Sequence, residues 1–142
     1  MIFWDASAFV RAFLAEDPGY GHARSLFFKE PRHSGSTLLW PETAGALLRR
    51  ARARWANRSF DTAEVELVLA RFELVDLTPD VSERAVELVM RSRLSGPDAA
   101  HLASALKLAR TSGTRGFRFA CSDRELAAAA RASGLRVVSP GL

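Results

Sequence analysis

Four acids, Asp5, Glu42, Asp98 and Asp123, share a local setting that the other carboxylates of the chain mostly lack. Each stands at or just inside the expected start of a helix. Asp5 and Asp123 directly follow an expected strand, and Glu42 follows one within a few residues. Singly, each has an ordinary explanation. Asp98, beside Pro97, suits the positive end of a helix dipole. Ser122 with Glu125 forms a capping-box pattern that makes Asp123 a first-turn acid, and Glu42 after Pro41 is placed alike. Asp5 could cap its helix, as could Ser7. Gathered in one cleft, however, four carboxylates repel and could not all stay ionised without a cation. An oxygen-only donor set suits Mg2+ or Mn2+ better than zinc. Such an ion can activate water and stabilise charge on a phosphoryl group.

The elements that must position these acids follow from the apolar pattern. Ile2-Phe3-Trp4 is a short apolar run that predicts a buried strand, closed by Asp5. Helical spacing runs from Ala6 to Leu14, and Asp17-Pro18-Gly19 turns the chain into a second helix over 20–29. A short strand is expected within 32–39, then a helix opening at Pro41 and running to about Trp55. Helix over 61–71, strand over 72–77 and a helix from Thr78-Pro79 to about Arg91 come next. Ser95-Gly96-Pro97 introduces a helix to Arg110. A strand over 117–121, a helix over 122–132 stopped by Gly134, and a strand over 136–138 complete the chain. Short strands alternating with helices predict an α/β fold, a three-layer sandwich with about five parallel strands and helices on both faces. In such a sheet the carboxyl ends of the strands form one rim, where ligands bind. That rim would gather acids that lie dozens of residues apart.

Composition bounds the reading. With 142 residues, 48% hydrophobic and 25% charged, the chain is expected to be a single soluble domain spanning 1–142. No apolar run approaches the ~18 residues of a membrane span. The apolar start contains Asp5 and lacks a basic leader or small-residue cleavage site, so a cytoplasmic location is expected. One cysteine, Cys121, allows neither an intramolecular disulfide nor a cysteine zinc cage. The net charge is +4, and only Lys29 and Lys107 are lysines, so the positive charge is almost all arginine. Arginine grips phosphate bidentately, which favours a polyanionic partner. Arginine-rich codon usage explains the same excess, and composition does not separate the two.

Four segments, in order, carry a resemblance. Ile2-Phe3-Trp4-Asp5-Ala6-Ser7-Ala8-Phe9 is similar to the strand and D-[TS]-S opening of PIN domains. Trp40-Pro41-Glu42-Thr43-Ala44-Gly45-Ala46-Leu47 resembles their second acidic motif. Pro97-Asp98-Ala99-Ala100-His101-Leu102-Ala103-Ser104-Ala105 is very similar to the third, and Ala120-Cys121-Ser122-Asp123 resembles the fourth. Trp4 is bulkier than the usual residue before the first acid, Pro97 occupies a variable position, and the fourth acid shifts among PIN proteins. The resemblance implies a VapC-like toxin of a toxin–antitoxin pair. Its implied activity is that of a Mg2+- or Mn2+-dependent endoribonuclease, hydrolysing RNA by a water that the cation activates. It further implies a homodimer and a cognate antitoxin protein as partner. Asp5, Glu42, Asp98 and Asp123 would form the acidic site, supported by Ser7 and Ser122. The alternative within the family is a non-catalytic module that binds RNA or protein, against which the retained acids speak. A phosphoacceptor receiver domain fails, because Asp5 stands alone after its strand and no lysine lies near the chain end.

Other residues are less specific. Arg49 lies seven positions beyond Glu42, nearly on the same helical face and ~10 Å along the axis. With Arg50, Arg52 and Arg54 it forms a basic helix that would suit substrate phosphates, Arg49 and Arg52 being the candidate contacts; a solvated face explains the run equally. His101, three positions after Asp98, could move a proton, although packing beside the sheet with local hydrogen bonds is the commoner role. His22 and His33 read as surface residues. Phe9, Phe13, Phe27 and Phe28 read mostly as core, and any surplus exposed on these first helices would point to an antitoxin groove, as in similar proteins. Cys121 reads as an inert small hydrophobe.

Overall fold

The computed structural model describes residues 1–54, 62–113 and 115–142, with the backbone alone at 51–54. Five parallel strands, β1 (Ile2–Trp4), β2 (His33–Ser36), β3 (Glu73–Val75), β4 (Arg118–Ala120) and β5 (Arg136–Val138), pair in the order β3-β2-β1-β4-β5. The helices are α1 (Ala6–Phe9), α2 (Tyr20–Lys29), α3 (Leu39–Arg54), α4 (Ala63–Leu69), α5 (Pro79–Ser92), α6 (Gly96–Ser112) and α7 (Arg124–Ala132). The expected three-layer α/β sandwich is thus present.

β1 is the central strand, in register with β2 at Ile2–His33 and with β4 at Ile2–Arg118. Its three side chains are fully buried because a central parallel strand is covered on both faces. Successive side chains point to opposite faces. Phe3 accordingly joins Phe119, Leu102 and Leu126 in the core beneath α5, α6 and α7. Ile2 and Trp4 join Phe9, Leu39 and Val65 on the other side. β2 is built from His-Ser-Gly-Ser, poor strand formers, yet a Cβ on Gly35 would meet Leu39 Cδ2 at 2.6 Å. The incoming helix requires a small residue there.

The helix expected over 6–14 is broken. α1 is a single turn that passes into a 3-10 helix, Val10–Phe13. β-Branched and aromatic residues extend a helix poorly, and the Arg11 guanidinium is drawn to Asp17 Oδ1 at 2.5 Å. Asp17 is buried and also accepts from Gly19 N at 2.8 Å and Arg50 Nη1 at 3.3 Å. These donors outweigh the effect of burial and lower its pKa.

His33 is a second departure, since it is half-buried rather than a surface residue. Its ring stacks 4.7 Å from Phe27 and 5.3 Å from Phe72, and its Nδ1 accepts from Trp4 Nε1 at 3.1 Å. Burial lowers its pKa, partly offset by its bond to the Phe27 carbonyl. A histidine depressed on folding contributes stability that is present above its unfolded pKa, near 6.5, and is lost as pH falls through the folded value. His33→Phe should therefore lower the melting temperature at pH 7, where Trp4 loses its acceptor. It should also flatten the drop in melting temperature between pH 7 and pH 5, and an unchanged drop would contradict this assignment.

Candidate functional site

The carboxyl ends of β1, β2 and β4 meet at one rim. Asp5 caps α1, its Oδ2 accepting from Ser7 N at 2.9 Å and, through a very short bond, from Ser7 Oγ. Ser7 Oγ in turn accepts from Ser122 N at 2.9 Å, which ties the β1 and β4 ends together. Ser122 Oγ donates to Pro140 O at 2.6 Å, so its hydroxyl anchors the chain after β5. Among the described residues nothing donates to Asp5 Oδ1, although the residue is only 2% exposed.

Glu42 stands in the first turn of α3 and Asp98 in the first turn of α6. Glu42 is joined to Asp5 through His101. This ring is fully buried, with Nε2 2.7 Å from Glu42 Oε2 and 4.0 Å from Asp5 Oδ1, and Nδ1 2.9 Å from Ser36 Oγ. Asp98 is half-buried, and its carboxylate accepts from Ser95 Oγ at 2.5 Å. Its charge is felt at both Asp5 and His101. Burial raises the Asp5 pKa, and Asp98 adds to the rise against the opposing pull of His101 and Ser7. Burial disfavours the imidazolium, but Glu42, Asp5 and Asp98 overcome it and raise the His101 pKa. The pocket thus holds a proton more tightly than exposed groups of the same types, as crowded carboxylates must when no cation offsets them.

Asp123 stands apart from this group. It is exposed, and its Oδ1 accepts from Leu126 N at 2.8 Å as the cap of α7; no described contact links it to Asp5, Glu42 or Asp98. Cys121, fully buried beside it, has its thiol pushed up to about 12 by burial first and then by Asp5. It is inert, as its position in a strand-end core implied.

An open groove of about 520 Å3 runs from this rim between α1 and α3, lined by Ser7, Val10, Leu38, Glu42, Gly45 and Arg49 among others. The Arg49 guanidinium folds back over Gly45, where a Cβ would meet its Nη1 at 3.2 Å. Arg49 therefore reaches toward Glu42 rather than lying two turns away from it. Arg50 turns the other way, to Asp17, and does not extend the basic track. The side chains of Arg52 and Arg54, and Trp55 at the expected helix end, lie outside the described residues.

His101 is the residue whose role the sequence reading missed. Its bonds reach 59 and 65 residues along the chain rather than staying local. The one signal was its place three positions after Asp98, on the same helical face. The oxygen donors fit a hard divalent cation that one or two carboxylates hold while it keeps most of its water. Asp5, with Oδ1 free of described hydrogen bonds, and Asp98, whose charge is felt at Asp5, are the acids that could serve. Among the described residues no three His, Cys, Asp or Glu side chains form a ready ion-holding group.

The sequence pattern of the PIN domain matches residues 2–132. Ribonuclease VapC45 of Mycobacterium tuberculosis strain CDC 1551 / Oshkosh is 34% identical over 146 residues, covering 96% of this chain and 94% of its own. Ribonuclease VapC49 of strain ATCC 25618 / H37Rv matches to the same extent. The crystal structure of Mycobacterium tuberculosis VapC20, described as a toxin that cleaves the sarcin–ricin loop, superposes with a TM-score of 0.70 at 23% identity. It covers 99% of this chain and 100% of that one. A toxin–antitoxin complex from Klebsiella pneumoniae superposes with a TM-score of 0.64 at 18% identity, covering 99% and 98%. The two superpositions show a shared fold, and by the match to residues 2–132 and the 34% identity over nearly its whole length the chain belongs to the PIN domain family.

Proposed function

We propose that this chain is a Mg2+- or Mn2+-dependent endoribonuclease, a single domain that acts in the cytoplasm as the toxin of a toxin–antitoxin pair. The observation that carries the reading is the rim itself. Glu42 and Arg49 line one open groove together with Ser7, whose side chain holds the buried carboxylate of Asp5 beside it. The near-full-length relatives named as ribonucleases support the same activity. When bound, the cation supplies Lewis-acid stabilisation of phosphoryl charge and a water of lowered pKa.

The chain's own residues do the rest. Ser7 fixes Oδ2 of Asp5 and so turns Oδ1 toward the cleft. Asp98 supplies the second carboxylate, and Glu42 the third, at the mouth of the groove. Asp123, the cap of α7 after β4, is the fourth acid of the proposal. Arg49 holds a substrate phosphate, with Arg52 as the next contact along α3. Because water and not the ribose 2′-OH is the nucleophile, no 2′,3′-cyclic phosphate forms, and with the 3′-oxygen as leaving group the products are a 5′-phosphate and a 3′-hydroxyl. RNA cleavage is expected with Mg2+ or Mn2+ and none in chelator. Robust cleavage in chelator would overturn the reading.

Arg49 gives a separate test. Arg49→Ala should weaken the binding of an uncleavable RNA and lower the slope of log affinity against log salt by about 0.7, the value for one phosphate contact on a single strand. Arg110→Ala, exposed near the far end of α6, should leave both unchanged. Equal affinity and slope for Arg49→Ala would make α3 a solvated face.

The antitoxin belongs to the same proposal. Relatives of this fold include a Klebsiella pneumoniae toxin–antitoxin complex and VapBC2 of Rickettsia felis. Here a groove of about 540 Å3 between α2 and α4 is lined by Phe27, Phe28, Leu67, Val68 and Phe72. Phe28 and Leu67 are 79% and 73% exposed. Phe28 is surplus apolar surface of the kind expected on the first two helices, and with Leu67 of α4 it supports an antitoxin segment with apolar side chains, bordered by Arg24, Glu64 and Arg71. In a homodimer a second copy would cover Val86 and Met90 of α5, which are exposed one turn apart. Among the described residues no helix is long and apolar enough to cross a membrane.

A further inference from the structure

Ser36 and His101 belong to none of the acidic positions, yet both are fully buried at the rim. Ser36, the last residue of β2, accepts from Leu38 N at 3.3 Å and lies 2.9 Å from His101 Nδ1. On the other side of the ring, Nε2 lies 2.7 Å from Glu42 Oε2. We propose that Ser36 and His101 are a positioning pair that holds the Glu42 carboxylate at the Asp5 side of the groove. The inference deepens the reading of the cation site and rests on it only for the consequence to metal binding.

Glu42 is a long side chain, one-third exposed, and the described side chains of α3 give its carboxylate no hydrogen bond. Among the described residues the bond from His101 is the only one on its carboxylate. A buried imidazole needs both nitrogens satisfied. Ser36 does more than satisfy one of them. A ring turned over by 180° would set a carbon against the Ser36 hydroxyl, so this contact selects the orientation that aims Nε2 at Glu42. The serine is itself pinned by the Leu38 N–H. The chain of contacts therefore starts in the backbone just after β2, passes through α6 and ends on α3. An imidazole serving only the core would find its partners there; this one addresses an acid at the mouth of a groove. Outer partners that orient a ligand in this way are a general feature of metal sites.

The test has a metal-free and a metal-loaded arm. In metal-free protein the exchange-protected Nε2 proton of His101, followed by NMR, should shift in Glu42→Gln, and its protection should fall in Ser36→Ala. With Mn2+ as probe, His101→Leu should weaken binding by about 10–100-fold, the range for loss of such a partner. His101→Gln, whose amide nitrogen can stand where Nε2 stood, should restore most of that loss. His101→Leu combined with Glu42→Gln should bind no more weakly than the worse single variant, since both act on one carboxylate. The proposal is overturned if the Nε2 proton ignores Glu42→Gln, or if the two losses add in full. A proton that answers to Glu42 in a protein that binds no Mn2+ would support the pairing and instead sink the cation site. Should His101→Leu fail to fold, Ser36→Ala and His101→Gln carry the same comparison.

Discussion

Asp5→Asn is expected to lower RNA cleavage by at least about 10²–10³-fold, the loss that follows removal of one preorganised electrostatic group, while the melting temperature at pH 8 stays unchanged or rises. Asparagine keeps an oxygen for Ser7 N and Ser7 Oγ, so the cap of α1 survives. What disappears is a buried charge. Burial raises the Asp5 pKa. A carboxyl raised on folding contributes its stability below the unfolded pKa and loses it as pH rises through the folded value. The advantage of the variant in chelator should therefore be larger at pH 8 than at pH 4, near the unfolded value. A variant that is inactive and also less stable at pH 8 would make Asp5 a structural cap.

Phe9→Ala is expected to cost about 3–5 kcal/mol, the range for emptying a buried aromatic site. That is a large part of the ~5–15 kcal/mol that holds an ordinary domain together. Phe9 is fully buried, and its ring meets Trp4, Phe13, Phe27 and Phe72 at 5.1–6.0 Å. The loss should spread across the α1–α4 side of the sheet. Phe28→Ala, one position from Phe27 and 79% exposed, should change stability by no more than about 0.5 kcal/mol and instead weaken binding of the antitoxin. Thermal melts of both variants decide this. A Phe28→Ala protein as unstable as Phe9→Ala would place the α2–α4 groove in the core.

The layers were legible because each rests on a local pattern. Ile2-Phe3-Trp4 can be little but a buried strand, and Ser95-Gly96-Pro97 can open little but a helix. The Asp5, Glu42 and Asp98 neighbourhood was legible because parallel strands bring their carboxyl ends to one edge. Nothing local, however, tells His101 which residue it will meet, since the contact to Glu42 depends on how closely α6 and α3 approach across that edge. His33 was misread for a related reason. Its neighbours in sequence are polar, and the aromatic cluster around it comes from Trp4, Phe27 and Phe72. α1 was read too long because apolar spacing does not report the pull of Asp17 on Arg11. Asp123 shows a further limit: it caps α7, and a capping pattern does not tell whether the same acid also serves a site.

The strand that begins this chain lies in the middle of the sheet, between β2 and β4. It can find its first neighbour once residue 36 has been made, but its second only after residue 120. During synthesis, which proceeds at about 5–20 residues per second, the Asp5 end of β1 therefore stays open on one side until residue 120 has emerged. Ser7 cannot be locked by Ser122 before then. A truncated or still-growing chain should have no assembled rim. For a protein proposed to cut RNA, the order of its strands would keep it silent on the ribosome that is making it.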